Sequence, residues 1–219
     1  MPSIIQQNLP AINDFRIVLS EKVYAKLASC IRLCGLSMGT DNNEYGTILY
    51  GYFAPDNIIY FEEPSSFDDY VPKSGSFKAS EKMEEELILN LVNSSKYSCV
   101  AHIHTHPFIN NEGNRFLSQE DIDYYKTAFN FKNEINGRKI YGFGGLLTID
   151  EGNNPEADDI SFVYYDSNTD QLYQIPSISV IINGNELPLE QVKSEYRYNE
   201  NSKAEFNRTK FDTNRGRER

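Results

Sequence analysis

The sequence predicts an α/β fold of the α+β kind, a mixed β-sheet flanked by helices. Three observations predict it. Strand-like runs, β-branched and aromatic, alternate with helically spaced apolar residues in the early part of the chain, and strand-like runs then dominate. The third is length: 219 residues suit one globular domain with extensions and leave little room for two. That domain is expected over residues 15–190, after an N-terminal extension 1–14 and before a charged, flexible tail 191–219.

Residues 15–19 read as the first strand. Ser20 then reads as an N-cap, with Val23, Leu27, Cys30, Ile31 and Cys34 at helical spacing and Gly35 as a stop. Residues 44–53 (EYGTILYGYF) read as a strand, Pro55-Asp56-Asn57 as a turn and 58–61 as the next strand. Residues 64–79, rich in Ser, Asp, Pro and Gly, read as a loop. Ser80 caps a second helix whose apolar face is Met83, Leu87 and Leu91, with Glu84, Glu85 and Glu86 on its solvated side. Residues 97–103 form a strand that runs into the histidines, and 108–117 a long polar loop. A third helix starts at Ser118, with Ile122, Tyr125 and Phe129 on one face. Residues 140–149 read as a Gly-rich strand with close backbone approach and 161–165 as another. Asn183-Gly184 is a hairpin turn after the run 178–182. The tail lacks apolar periodicity, and residues 203–219 carry six Lys/Arg against three Asp/Glu.

The formal net charge of −11 argues against a nucleic-acid binder, which needs a basic face to displace counterions, and against an anionic membrane surface. No apolar run approaches the roughly 18 residues that span a bilayer. Cys30, Cys34 and Cys99 are too few and odd in number for a disulfide framework, so a reduced, cytoplasmic setting is expected.

The chemistry is concentrated in AHIHTHP. All three histidines of the chain, His102, His104 and His106, lie in this stretch. Alternate strand residues face one side, so the three project together, neighbours roughly 6.6 Å apart at the backbone. Two imidazoles at that spacing can converge on one ion, whereas His102 and His106, roughly 13 Å apart, cannot share it unless the chain bends. Asp121, in the first turn of the third helix, is the best third ligand. Two His and one Asp leave a fourth position of a zinc ion open to water, the catalytic arrangement. Zinc lowers the pKa of such a water to about 7 and polarises a carbonyl. A nearby carboxylate must still accept and return a proton. Glu44 opens a neighbouring strand and is the candidate, with Glu62 and Glu63 as rivals.

The pieces Glu44-Tyr45-Gly46 with Leu49 and Gly51, His104-Thr105-His106-Pro107, and Ser118-Gln119-Glu120-Asp121 resemble the JAB/JAMM (MPN+) metallopeptidases, in their stand-alone prokaryotic form. The resemblance covers roughly residues 15–165. It implies an MPN/JAB-like, cytidine-deaminase-like architecture and one Zn2+ held by His104, His106 and Asp121. It implies Glu44 as proton shuttle and Ser118 as hydrogen-bond donor to the developing oxyanion. It implies cleavage of a peptide or isopeptide bond at the C-terminus of a ubiquitin-like or related small carrier protein. The departure from the family pattern is the loop 108–117, longer than usual, which is expected to govern substrate access. Ser-x-x-Asp also matches a helix capping box, and Ser118 can both cap and face the site. The alternative is a catalytically silent scaffold of the same fold, although such relatives usually lose a ligand and this chain keeps each one. A DNA-repair-associated relative fits the acidic balance less well.

Overall fold

The structure is a computed structural model that describes residues 9–37, 44–66, 79–106, 117–129, 134–148 and 159–193. Strand β1 (Arg16–Leu19) leads into helix α1 (Glu21–Ser37), followed by β2 (Gly46–Ala54) and β3 (Ile58–Pro64). Helix α2 (Glu81–Ile88) continues into one π-helical turn (Leu89–Asn93) and then β4 (Cys99–His106). Helix α3 (Gln119–Ala128) comes next, then the small strands β5 (Glu134–Ile135) and β6 (Arg138–Lys139). Strands β7 (Tyr141–Thr148), β8 (Asp159–Asp166), β9 (Gln171–Ile175), β10 (Ser177–Ile182) and β11 (Asn185–Pro188) complete the fold.

Nine strands form one mixed sheet in the order β11-β10-β1-β3-β2-β4-β7-β8-β9. The pairs β1–β10, β1–β3 and β4–β7 are parallel and the others antiparallel. The expected mixed sheet with flanking helices is therefore the observed architecture. Period-two alternation in β4 divides the core into two layers. Cys99, Ala101 and Ile103 pack with Val23, Leu27 and Cys30 of α1. Val100, on the other side, packs with Met83 of α2 and with Ile122, Tyr125 and Phe129 of α3. The three histidines share parity with Val100 and so face α3.

Several boundaries differ from expectation. Helix α1 runs through Gly35 to Ser37, since an interior glycine costs only about 1 kcal/mol and does not by itself end a helix. Glu44 lies two residues before β2 rather than opening it. Strand β3 continues through Glu62 and Glu63 to Pro64 because its pairing with β2 persists through a bulge at Tyr50/Gly51. A Cβ on Gly51 would lie 2.0 Å from the Tyr60 carbonyl oxygen, so only glycine fits that bulge. Glu84 and Glu85 are exposed, as expected, whereas Glu86 is half-buried. Its carboxylate accepts from the Ser65 hydroxyl and from the Ser66 backbone and hydroxyl, pinning the chain after β3 to α2. The π turn is stabilised by Arg138, whose guanidinium donates to the carbonyls of Leu91, Ser94 and Tyr97. Residues 189–193 form a further helical turn with Leu189 and Val192 buried in the core. Most of the loop expected to govern substrate access (107–116) and the tail from residue 194 lie outside the described residues. Among the described residues no helix is long and apolar enough to cross a membrane.

Candidate metal centre

Strand β4 sits in the middle of the sheet between β2 and β7, and its C-terminal end carries the site. Antiparallel pairing sets Gly46 opposite His104 and Ile48 opposite His102. Two residues before Gly46, Glu44 keeps the same parity and lies on the histidine side. Thr105 ties this approach to the sheet: its backbone N–H donates to the Tyr45 carbonyl (2.7 Å), and the Tyr45 N–H donates to its hydroxyl (2.8 Å).

Helix α3 brings Asp121 to the same place. Ser118 is its N-cap, and the capping box is formed. The Ser118 hydroxyl accepts from the Asp121 backbone N–H (3.1 Å), and the Ser118 backbone N–H and hydroxyl both donate to Asp121 Oδ2 (2.7 Å each). One carboxylate oxygen is thereby anchored, and the carboxylate straddles the histidine pair. Oδ1 lies 3.2 Å from His104 Nε2 and Oδ2 lies 3.3 Å from His106 Nε2. The two Nε2 atoms are 3.1 Å apart.

These residues can hold a metal ion. The edge of a tetrahedron is about 1.63 times its centre-to-vertex distance, so bonds of roughly 2.0 Å to imidazole and carboxylate require edges of about 3.3 Å. The Nε2–Nε2 separation of 3.1 Å is close to that edge, and each nitrogen has its own carboxylate oxygen beside it, Oδ1 at 3.2 Å from His104 and Oδ2 at 3.3 Å from His106. Hydrogen bonding alone accounts for the close approach of the two nitrogens less well, because an imidazole nitrogen carries at most one in-plane hydrogen and cannot aim it both at a carboxylate oxygen and at the other nitrogen.

Electrostatics agree with a site built for positive charge. Burial works against the His104 imidazolium, yet the Asp121 carboxylate, its hydrogen bond and the charge of Glu44 together raise the His104 pKa. Burial would raise that of Asp121, but His104 and His106 hold its carboxyl far below the usual carboxylate range. Glu44 is buried, and its charge is felt at His104 and also at Tyr125. Its rivals are engaged elsewhere: Glu62 pairs with Lys96 (3.3 Å) and Glu63 with Lys22.

His102 stands apart from the triad. Its Nδ1 lies 2.6 Å from the Tyr124 hydroxyl, and its ring meets Phe129 edge-on. Burial, and then the neighbouring His104, push its pKa down to about 4, so it is a neutral wall residue. The cysteines are buried and form no disulfide; burial pushes the Cys34 thiol up to about 11, despite a hydrogen bond with Thr105 that pulls the other way. A separate cavity of about 390 Å³ between Asp159, Gln174, Pro188 and Glu190 does not touch the triad.

What the sequence reading missed is the Tyr125 hydroxyl, which lies 3.2 Å from His104 Nδ1. Tyr125 reads from sequence as part of an apolar helix stripe. The available signal was its phenol, because a buried tyrosine hydroxyl needs a partner.

No protein-family model matches the chain, and no curated protein sequence does. Among solved structures the chain is similar to protein DSY2949 from Desulfitobacterium hafniense, known from its solution structure. The identity is 12% and the TM-score 0.48, over 75% of this chain and 92% of that one. A likeness at that level says nothing about the chemistry, which rests on the residues themselves.

Proposed function

We propose that this protein is a zinc-dependent peptidase or isopeptidase of the JAB/JAMM type with an MPN-like fold. In this reading it acts in the cytoplasm on the C-terminal bond of a ubiquitin-like or related small carrier protein. The observation that carries the reading is the convergence of His104, His106 and Asp121, from a strand and a helix N-terminus, beside the buried Glu44. Two imidazoles and one carboxylate are a donor set that would suit zinc and would leave room for solvent or substrate. Bound there, zinc supplies Lewis acidity that polarises the scissile carbonyl and makes water nucleophilic near neutral pH.

The chain's own residues do the rest. Glu44 accepts a proton from the attacking water and delivers it to the leaving amine nitrogen. Its burial keeps that carboxylate out of bulk solvent and close to the proton path. Ser118 donates its hydroxyl hydrogen to the developing oxyanion. That hydrogen is engaged by Asp121 Oδ2 in the resting site, so the role requires the hydroxyl to turn from the carboxylate to the substrate.

The test is cleavage of a ubiquitin-like protein joined by an isopeptide to lysine, and of a linear fusion, by zinc-loaded protein. Cleavage of either substrate is expected. Glu44→Gln should retain zinc and fold while kcat falls by roughly 10²–10⁴, the usual share of a general base. A zinc-loaded protein inert toward both substrates would instead be a binding scaffold.

A further inference from the structure

We infer that Tyr125 is a positioning residue that fixes the tautomer and orientation of His104 and so sets the affinity of the metal centre. The inference rests on the metal-binding reading of His104, His106 and Asp121, and extends it to a residue outside that triad.

His104 presents Nε2 to His106 and Asp121, so its other nitrogen, Nδ1, must be satisfied behind the site. It faces the Tyr125 hydroxyl at 3.2 Å. That hydroxyl also meets the carbonyl oxygens of His102 and Gly145 (3.2 Å each) and the Gly145 N–H (3.3 Å). A phenol has one hydrogen to donate and a limited capacity to accept. Both carbonyls can only accept, and the single hydrogen is assigned to them. The Gly145 N–H can only donate, and it takes one lone pair. What remains for His104 is acceptance, which requires the hydrogen on Nδ1. Nε2 is then left with the lone pair that a metal needs. Neutral histidine ligands are commonly held this way through their second nitrogen.

The ring is fixed as firmly as the hydroxyl. Gly144 lies beneath it: a Cβ there would sit 2.3 Å from Tyr125 Cε2. Gly142 provides the same space for Phe129, whose ring stacks on Tyr125 with centroids 5.7 Å apart. The two glycines at strand spacing thus accept two aromatic residues at i,i+4 on α3. Tyr125 is fully buried, and burial, followed by the charge of Asp121, raises its pKa, keeping the phenol protonated.

The test uses the full chain and zinc alone. Zinc dissociation constants are measured by competition with a chromophoric chelator for wild type, His104→Ala and Tyr125→Phe. Thermal unfolding of each metal-free protein is measured alongside. Tyr125→Phe keeps the ring and removes only the hydroxyl. Its zinc affinity should fall by about ten- to a hundredfold, as is usual for a partner behind a ligand. An affinity within twofold of wild type overturns the inference. Wild type and His104→Ala binding zinc equally overturns the metal-binding reading itself, a different failure. Should Tyr125→Phe not fold, nitrogen-15 chemical shifts of His104 in zinc-loaded wild type decide the matter. A hydrogen on Nδ1 coupled through the hydrogen bond to the phenol supports the inference, and an Nδ1 in exchange with solvent overturns it.

Discussion

Asp121 carries two tasks on one carboxylate. Oδ2 takes two hydrogen bonds from Ser118, which begins the helix, and the group as a whole faces two imidazoles. Ser118 is accordingly a cap and a neighbour of the candidate metal site at once. Ser118→Ala should cost about 1 kcal/mol through loss of the cap. It should also slow the chemical step by roughly 10²–10³ through loss of an oxyanion donor. Thermal unfolding and kcat separate the two effects; full turnover with lowered stability would leave Ser118 a cap alone. The triad was legible in the sequence because alternation in a strand and a first-turn carboxylate are both local rules. The relative places of Glu44, Glu62 and Glu63 were not legible locally. They follow from the register of β2 against β4, with Glu44 two residues before Gly46 opposite His104, and from the pairs Glu62–Lys96 and Glu63–Lys22.

Helix α3 and strand β7 work as a pair. The helix supplies Asp121 on its first turn and Tyr125 one turn later, and the strand supplies the glycine gaps that let the aromatic rings approach. Gly144→Ala should therefore push the Tyr125 ring away from the sheet. The expected cost is about 1–3 kcal/mol of overpacking, measured by urea unfolding, with zinc affinity reduced as well. A fully stable Gly144→Ala variant with native affinity would show that the ring has room to move. The Gly-rich reading of this strand anticipated close backbone approach, but not which residues approach. Hairpins were legible where the turn was recognised: Asn183 and Gly184 both have positive φ, as the turn requires. Asn136-Gly137 carries the same signal and joins β5 to β6, although that reading of the sequence passed over it. Strand β9 was also missed; its entry turn, 167–170, lacks glycine and instead has Asp170 at positive φ.

At the scale of the molecule, one sheet separates two apolar layers, and the site opens from the α3 layer at the end of a central strand. The candidate ligands lie on two consecutive elements, His104 and His106 on β4 and Asp121 on α3, and the fold fixes them at one point. A metal that binds only the folded state stabilises it by mass action. At a thousandfold excess over the dissociation constant this amounts to about 4 kcal/mol, or a rise in Tm of roughly 8–16 °C for a domain of this size. Removing metal with a chelator should reverse the shift, and His106→Ala should show none. Whether His104, His106 and Asp121 form one zinc site is answered by elemental analysis of the purified, zinc-equilibrated protein. About one zinc per wild-type chain is expected, and little in His104→Ala, His106→Ala or Asp121→Ala. Wild-type protein without stoichiometric zinc, or full zinc content in all three variants, would contradict it.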